Sequence, residues 1–278
     1  MLTTTSALVC AARAAGTGVA ALNVITLEHA EAVVRAAELT GLPAIVQISQ
    51  NAARHHGDVA PLAAAVGTLA RASGARIALH LDHVEDVALL HRTAECGAGS
   101  VMFDASRLSD EENVEATRAA AEWAHGQGLY IEAELGAIGG KKGSAHTPGV
   151  RTDPREAREF VEATGVDALA VAVGSSHAMK DRTARLDLGL VARIAAEVPV
   201  PLVLHGSSGV PAAQLREAVR HGMTKVNFGT LLSVAFTDAV RASLAASPEE
   251  HDPRPWLADG RAAVVDAAAG CLRAVDVA

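Results

Sequence analysis

A closed (β/α)8 barrel, an α/β fold of the TIM type with extra helices at its ends, is what this sequence predicts, on three observations. Eight short apolar or β-branched runs alternate with Ala-rich stretches that often end at glycine. No Pro/Gly/Ser linker or charge block divides the 278 residues, so residues 1–278 read as a single domain. Each run also ends in a polar residue of chemical use, on the edge where barrels gather their chemistry.

The N-terminal MLTTTSALVCAARAAG reads as a helix that precedes the barrel. The strand runs are VAALNV (19–24), PAIVQIS (43–49), RIALHLDH (76–83), GSVMFD (99–104), LYIEAEL (129–135), DALAVAVG (167–174), VPLVLH (200–205) and MTKVNFG (223–229). Helical stretches such as EAVVRAAELTG (31–41) separate them, and strand–helix alternation predicts a parallel sheet with right-handed crossovers. A doubly wound open sheet is the alternative, but no GxGxxG follows the first run. The last stretch, PRPWLADGRAAVVDAAAGCLRAV, is expected to be a capping or interface helix, since Trp256, Val264, Val265 and Leu272 need a surface to cover.

Composition narrows the function. Half the residues are hydrophobic but only 3% are aromatic, which suits a sheet of Val, Ile and Leu covered by alanine-rich helices. A formal charge of −8 argues against a nucleic-acid backbone or an anionic membrane as partner. Cys10, Cys96 and Cys271 are too widely spaced for a disulfide framework or a thiolate zinc motif. With no basic leader and no run of 18 apolar residues, the chain reads as cytoplasmic.

The strand ends supply the candidates: Asn23, Ser49, Asp82-His83, Asp104, Glu132 and Glu134, Ser175 through His177, His205 and Asn227. His83, His177 and His205 would point from strands three, six and seven toward one place. Three neutral imidazoles without thiolates suit a catalytic zinc that keeps an open position. His80 lies on a strand, and His55, His56, His91, His125 and His221 on helices or loops, where the ordinary structural reading stands. Asp82, beside a ligand, is either a support for it or an acid/base group. Glu132 and Glu134 share one strand face, so both enter the barrel or neither does. The stretch Gly206-Ser207-Ser208-Gly209 offers successive backbone N–H groups and a Ser208 hydroxyl to an anion. KVNFGT (225–230) offers a second such turn, and phosphate sites after strands seven and eight recur in barrels.

HLDH (80–83), SVMFDAS (100–106), EAELGAIGG (132–140), REFVEATGVDALAVAVGSSH (158–177), LVLHGSSG (202–209) and KVN with Thr230 resemble the class II, metal-dependent ketose-bisphosphate aldolases. The resemblance runs from about Ala21 to the DPR of 252–254. It implies a lyase that cleaves a phosphorylated ketose to dihydroxyacetone phosphate and an aldehyde. By the same resemblance His83, His177 and His205 bind one catalytic Zn2+, and Asp82 handles the proton on the aldehyde-derived oxygen. Asp104 and Glu134 match positions that hold a second or alternative cation. Gly206, Ser207, Ser208, Asn227, Phe228, Gly229 and Thr230 match the dihydroxyacetone-phosphate contacts, joined by Ser49 and Ala178. The partner is then a small phosphorylated sugar, and the expected assembly a homo-oligomer, dimer or tetramer.

The chain departs from the family pattern at three places. Lys141-Lys142 replaces an acidic pair in the glycine-rich loop, so Lys142 stands where the family has its proton-abstracting glutamate. Ala178 replaces a glycine after the second histidine, and Gly229 an aspartate of the fructose enzymes. Rival readings are a zinc hydrolase, a Schiff-base aldolase using Lys225, and a sugar-phosphate-binding paralogue without catalysis. The hydrolase lacks its usual His-x-His, since Asn23-Val24-Ile25 sits there.

Overall fold

A computed structural model of the chain describes residues 1–135, 151–175 and 183–277. In chain order the elements begin with α1 (Thr5–Ala15), β1 (Val19–Asn23), α2 (Leu27–Thr40), β2 (Ala44–Ser49), α3 (Gln50–His56) and α4 (Ala60–Ala72). There follow β3 (Ile77–Val84), α5 (Val87–Glu95), β4 (Ser100–Phe103), α6 (Asp110–Gly126), β5 (Tyr130–Glu134), α7 (Pro154–Thr164) and β6 (Ala168–Ala170). The chain closes with α8 (Leu188–Glu197), β7 (Leu202–Leu204), a 3-10 turn (Ser207–Gly209), α9 (Ala212–Arg220), β8 (Met223–Phe228), α10 (Thr230–Ala246) and α11 (Pro253–Val275). All eight strands are parallel neighbours in sequence order, and β1 pairs with β8 to close the barrel. The barrel prediction holds, and each strand falls within a residue of the run expected for it or inside that run.

Strand alternation divides the side chains into two environments. On β3, Ile77, Leu79 and Leu81 face the surrounding helices, whereas Ala78 lies in the barrel interior. The interior itself has two layers. Its lower half is apolar: Val19, Ala21, Ile45, Ala78, Tyr130, Ala168, Ala170 and Val203 meet Leu8, Val9 and Ala12 of α1. Helix α1, capped by the Thr4 hydroxyl and ended by left-handed Gly16, thereby plugs the N-terminal end of the barrel. Nearer the C-terminal ends of the strands, the inward residues become Asn23, Gln47, His80, Asp82, Asp104, Glu132, Glu134, His205, Lys225 and Asn227. The polarity of the interior therefore inverts at mid-height. That inversion leaves the upper half a place for chemistry rather than for packing.

The predicted C-terminal helix is α11, which lies along α2 and α10 and buries Val264 and Leu272 completely or nearly so. Gly260 permits the approach, because a Cβ there would stand 2.7 Å from the Phe236 ring of α10.

Candidate active site

The geometry of β3 makes the site possible. Alternation alone would send Asp82 inward and His83 outward. A register shift between β3 and β4, over Leu81 to Val84, breaks the alternation. His83 sits at φ 48°, the only non-glycine among the described residues at positive φ. A left-handed histidine costs on the order of 1 kcal/mol or more and persists only where the surroundings hold it. Its result is that two consecutive side chains reach the same pocket. That pocket is lined by Asn23, Asp82, His83, Gly206, Ser208, Asn227, Gly229 and Thr230.

His83 and His205 meet there with ring centroids 4.7 Å apart. His83 Nδ1 donates to Asp104 Oδ2 at 2.8 Å, and Ser106 Oγ holds the other oxygen of Asp104 at 2.6 Å. His205 is wholly buried, and its two ring nitrogens donate to Glu134 and Glu132, each at 2.9 Å. Both glutamates thus enter the barrel. Beneath them Lys225 Nζ donates to Glu132 Oε2 at 2.8 Å. Asp82 accepts from Asn23 Nδ2 at 2.7 Å and from Asn227 Nδ2 at 3.4 Å, and Gln47 Nε2 in turn holds Asn23 Oδ1 at 3.2 Å.

Burial penalises the charged forms of Asp82, Glu132 and His205, but the neighbours prevail. For Asp82 burial pushes upward, yet His83, His205 and Lys225 hold it down at about 2. Glu132 is likewise held below the usual carboxylate range against its burial, by Lys225 and His205. His205 is lowered by burial but raised more by the two glutamates, to about 9. His80, deeper in the barrel, is lowered to about 3 by burial and by Lys225. It is hydrogen-bonded to Ser100, and Ser100 to Thr5 of α1, which fits its expected structural part.

These shifts carry a stability prediction for the metal-free chain. A raised imidazole contributes fully below its unfolded value of 6.5, and that contribution is lost as pH rises through about 9. Chemical denaturation in EDTA should show stability falling between these values, by at most about 3 kcal/mol. Asp82 works in the opposite sense and is lost only as pH falls toward about 2. A flat profile from pH 6 to 10 would remove the two glutamates as the cause.

Do these residues suit a metal ion? Asp82, His83 and His205 each offer a ligand atom, all within 4.8 Å of one another, and so do His83, Asp104 and Glu134. Asp82, Asp104, Glu132 and Glu134 are all 3% exposed or less, against the one buried lysine of the described residues, Lys225. A nitrogen and oxygen set with surplus negative charge and no thiolate suits a borderline divalent ion such as zinc. A ring nitrogen of His205 must shed its proton to serve as a ligand, so metal and proton compete for it.

The glycine-serine stretch forms the adjoining wall. Gly206 takes φ 67° and opens the turn Ser207–Gly209. The Ser207 hydroxyl donates to the Asn227 carbonyl, tying this turn to the end of β8. Ser208 Oγ accepts from Leu231 N at 3.2 Å, in the first turn of α10. Two turns and a helix N-terminus therefore converge, a ready anion site. Gly229 leaves room for Asn23, whose Oδ1 would lie 3.3 Å from an added Cβ.

Other expected residues fall elsewhere. Ser49 caps α3, its hydroxyl accepting from Ala52 N. The Phe228 side chain packs in the outer core, so only its main chain is available to a ligand. Lys141, Lys142, His146, His177 and Ala178 lie outside the described residues. Sequence reasoning missed Gln47 and the coupling of Glu132 to Lys225. A lone glutamine in the run PAIVQIS was the available signal for the first.

Comparison with known proteins agrees with this geometry. The family model described as fructose-bisphosphate aldolase class-II matches residues 3–278. The probable fructose-bisphosphate aldolase of Bacillus subtilis (strain 168) is 36% identical over 94% of this chain and 93% of its own. The fructose-bisphosphate aldolase of Geobacillus stearothermophilus is 37% identical over 90% and 88%. Among solved structures, the YdjI aldolase from Escherichia coli K12 superposes with a TM-score of 0.87 at 29% identity, over 99% of this chain and 97% of that one. A strand-ordered barrel and a carboxylate–histidine mouth agree with whole-length relatives of one kind, and the chain belongs to the class II fructose-bisphosphate aldolase family, an aldolase among the carbon–carbon lyases.

Proposed function

We propose that residues 1–278 act as one catalytic unit that reversibly cleaves a phosphorylated ketose, of the ketose-bisphosphate class, to dihydroxyacetone phosphate and an aldehyde. The carrying observation is the convergence of Asp82, His83 and His205 beside the Gly206–Ser208 turn. On this reading His83 and His205, with His177, hold one zinc ion, while Asp104 and Glu134 serve a second or alternative cation. Bound there, a divalent ion supplies Lewis-acid polarisation of the substrate's carbonyl.

The chain's own residues do the rest. Gly206, Ser207, Ser208 and the main chain of 227–230 take the phosphate, which fixes the reacting carbons at a distance from the anchor. Ser49 and Ala178 complete that contact set. Asp82, held ionised, accepts the C4 hydroxyl proton as the C3–C4 bond breaks. The C4 oxygen leaves as the aldehyde carbonyl, and the bonding pair stays on the ketose fragment as an enediolate. Asn227 directs an amide N–H toward that charge. Lys142 is the candidate to deliver the final proton to carbon, in the place of the family's glutamate. A cationic Lys141-Lys142 pair also suits a substrate with a further anionic group. We read the protein as a cytoplasmic homo-oligomer; no helix among the described residues is long and apolar enough to cross a membrane.

The test is a retro-aldol panel of ketose phosphates, including acidic ones, with coupled detection of dihydroxyacetone phosphate. Zinc-loaded protein should cleave at least one, EDTA should abolish the activity, and zinc should restore it. Zinc-loaded protein that binds but cleaves none of them would refute catalysis.

A further inference from the structure

We propose that Lys225 is a positioning residue of this site, fixing which end of the Asn227 amide meets Asp82 and the substrate. The inference rests on the aldolase reading above. Lys225 and Asn227 stand two apart on β8, so both side chains enter the barrel. Lys225 is fully buried, and its Nζ donates to Glu132 Oε2 at 2.8 Å and to Asn227 Oδ1 at 2.9 Å. An ammonium group has three donors and no acceptor, so only the amide oxygen can face it. The Asn227 amide is thereby locked with Nδ2 toward Asp82 Oδ1, at 3.4 Å, and toward the pocket that Asn227 lines.

The two ends of an asparagine amide are nearly the same size, so packing alone does not choose between them. Turned over, Asn227 would set its oxygen against the Asp82 carboxylate and against any anionic oxygen of the substrate. A lysine that served only to neutralise Glu132 would need one of its two contacts. The second contact, to Asn227, is the one that reaches the substrate pocket.

The informative variant combines Lys225→Met with Glu132→Gln. It nearly preserves volume, removes one charge of each sign, and leaves the barrel without an unpaired buried ion. The new amide's carbonyl can still accept from His205. A melting temperature within a few degrees of the parent, and zinc affinity within about threefold, are expected, since ligands and net charge are kept. Affinity of the zinc-loaded protein for dihydroxyacetone phosphate should fall about tenfold, as for one misdirected hydrogen bond to a charged oxygen. The kcat should fall by at least as much, because the developing enediolate needs that donor more than the ground state does.

A double variant that binds dihydroxyacetone phosphate and turns over like the parent would overturn the proposal and leave Lys225 a counter-ion. Loss of zinc together with dihydroxyacetone phosphate would overturn it too, placing Lys225 in support of the metal ligands instead. If the parent itself binds neither zinc nor dihydroxyacetone phosphate, the aldolase reading fails first and takes this inference with it.

Discussion

His205→Ala should yield a protein with only traces of bound divalent metal and a turnover at least about a thousandfold lower. Lewis-acid stabilisation contributes several kcal/mol, and each 1.36 kcal/mol is a factor of ten. The ring is wholly buried between two glutamates, so its loss also removes the cation shared by Glu132 and Glu134 and leaves Glu132 to Lys225. His205→Gln keeps an amide donor between them and separates loss of a ligand from loss of the fold. His125→Ala is the control: that exposed ring meets Asp167 just before the start of β6, at the end of the strand opposite the site. Metal analysis and steady-state kinetics on the three variants decide the matter. Parental metal content in His205→Ala would remove this histidine from the ligand set.

The second large effect concerns the fold itself. Glu132→Ala should destabilise the protein by about 3–5 kcal/mol, the usual cost of removing one partner from a buried ion pair. Lys225 would lose its only carboxylate partner among the described residues, and His205 would lose one of its carboxylate partners. For a chain of this size that corresponds to a melting temperature lower by about 10 °C. Asp238→Ala, which breaks an exposed pair with Arg241 one turn apart on α10, should cost less than about 1 kcal/mol. Equal melting temperatures for the two variants would mean that the barrel interior admits enough water to screen Lys225.

Much of this was legible in the sequence, because the periodicities of strand and helix are local. The eight runs, the N-terminal helix and the C-terminal helix all follow from residues close to one another in the chain. Even β6, which pairs only over Ala168–Ala170, lies inside its expected run, and Val171 N still bonds Val203 O beyond it. The chemistry was legible where type and position agreed, as at His205 at the end of an apolar strand. It was illegible where backbone geometry or a distant partner decides. Alternation gives no means of seeing that Asp82 and His83 share a pocket, since that depends on a left-handed residue and a shifted register. Glu132 and Lys225 were both visible as strand residues, but they stand 93 positions apart and nothing local couples them.

Helix α1 has a consequence for the order of events. With Leu8, Val9 and Ala12 closing the base, the polar half of the barrel is reached, among the described residues, from the pocket at the other end. On the proposed reading, ion, sugar phosphate and water would share that mouth, past Asn23, His83 and Ser208. An ion held by the deeper carboxylates and histidines would then have to arrive before the sugar, and could not depart while the sugar remained. A bound substrate would act as a stopper, guarding the metal best during turnover.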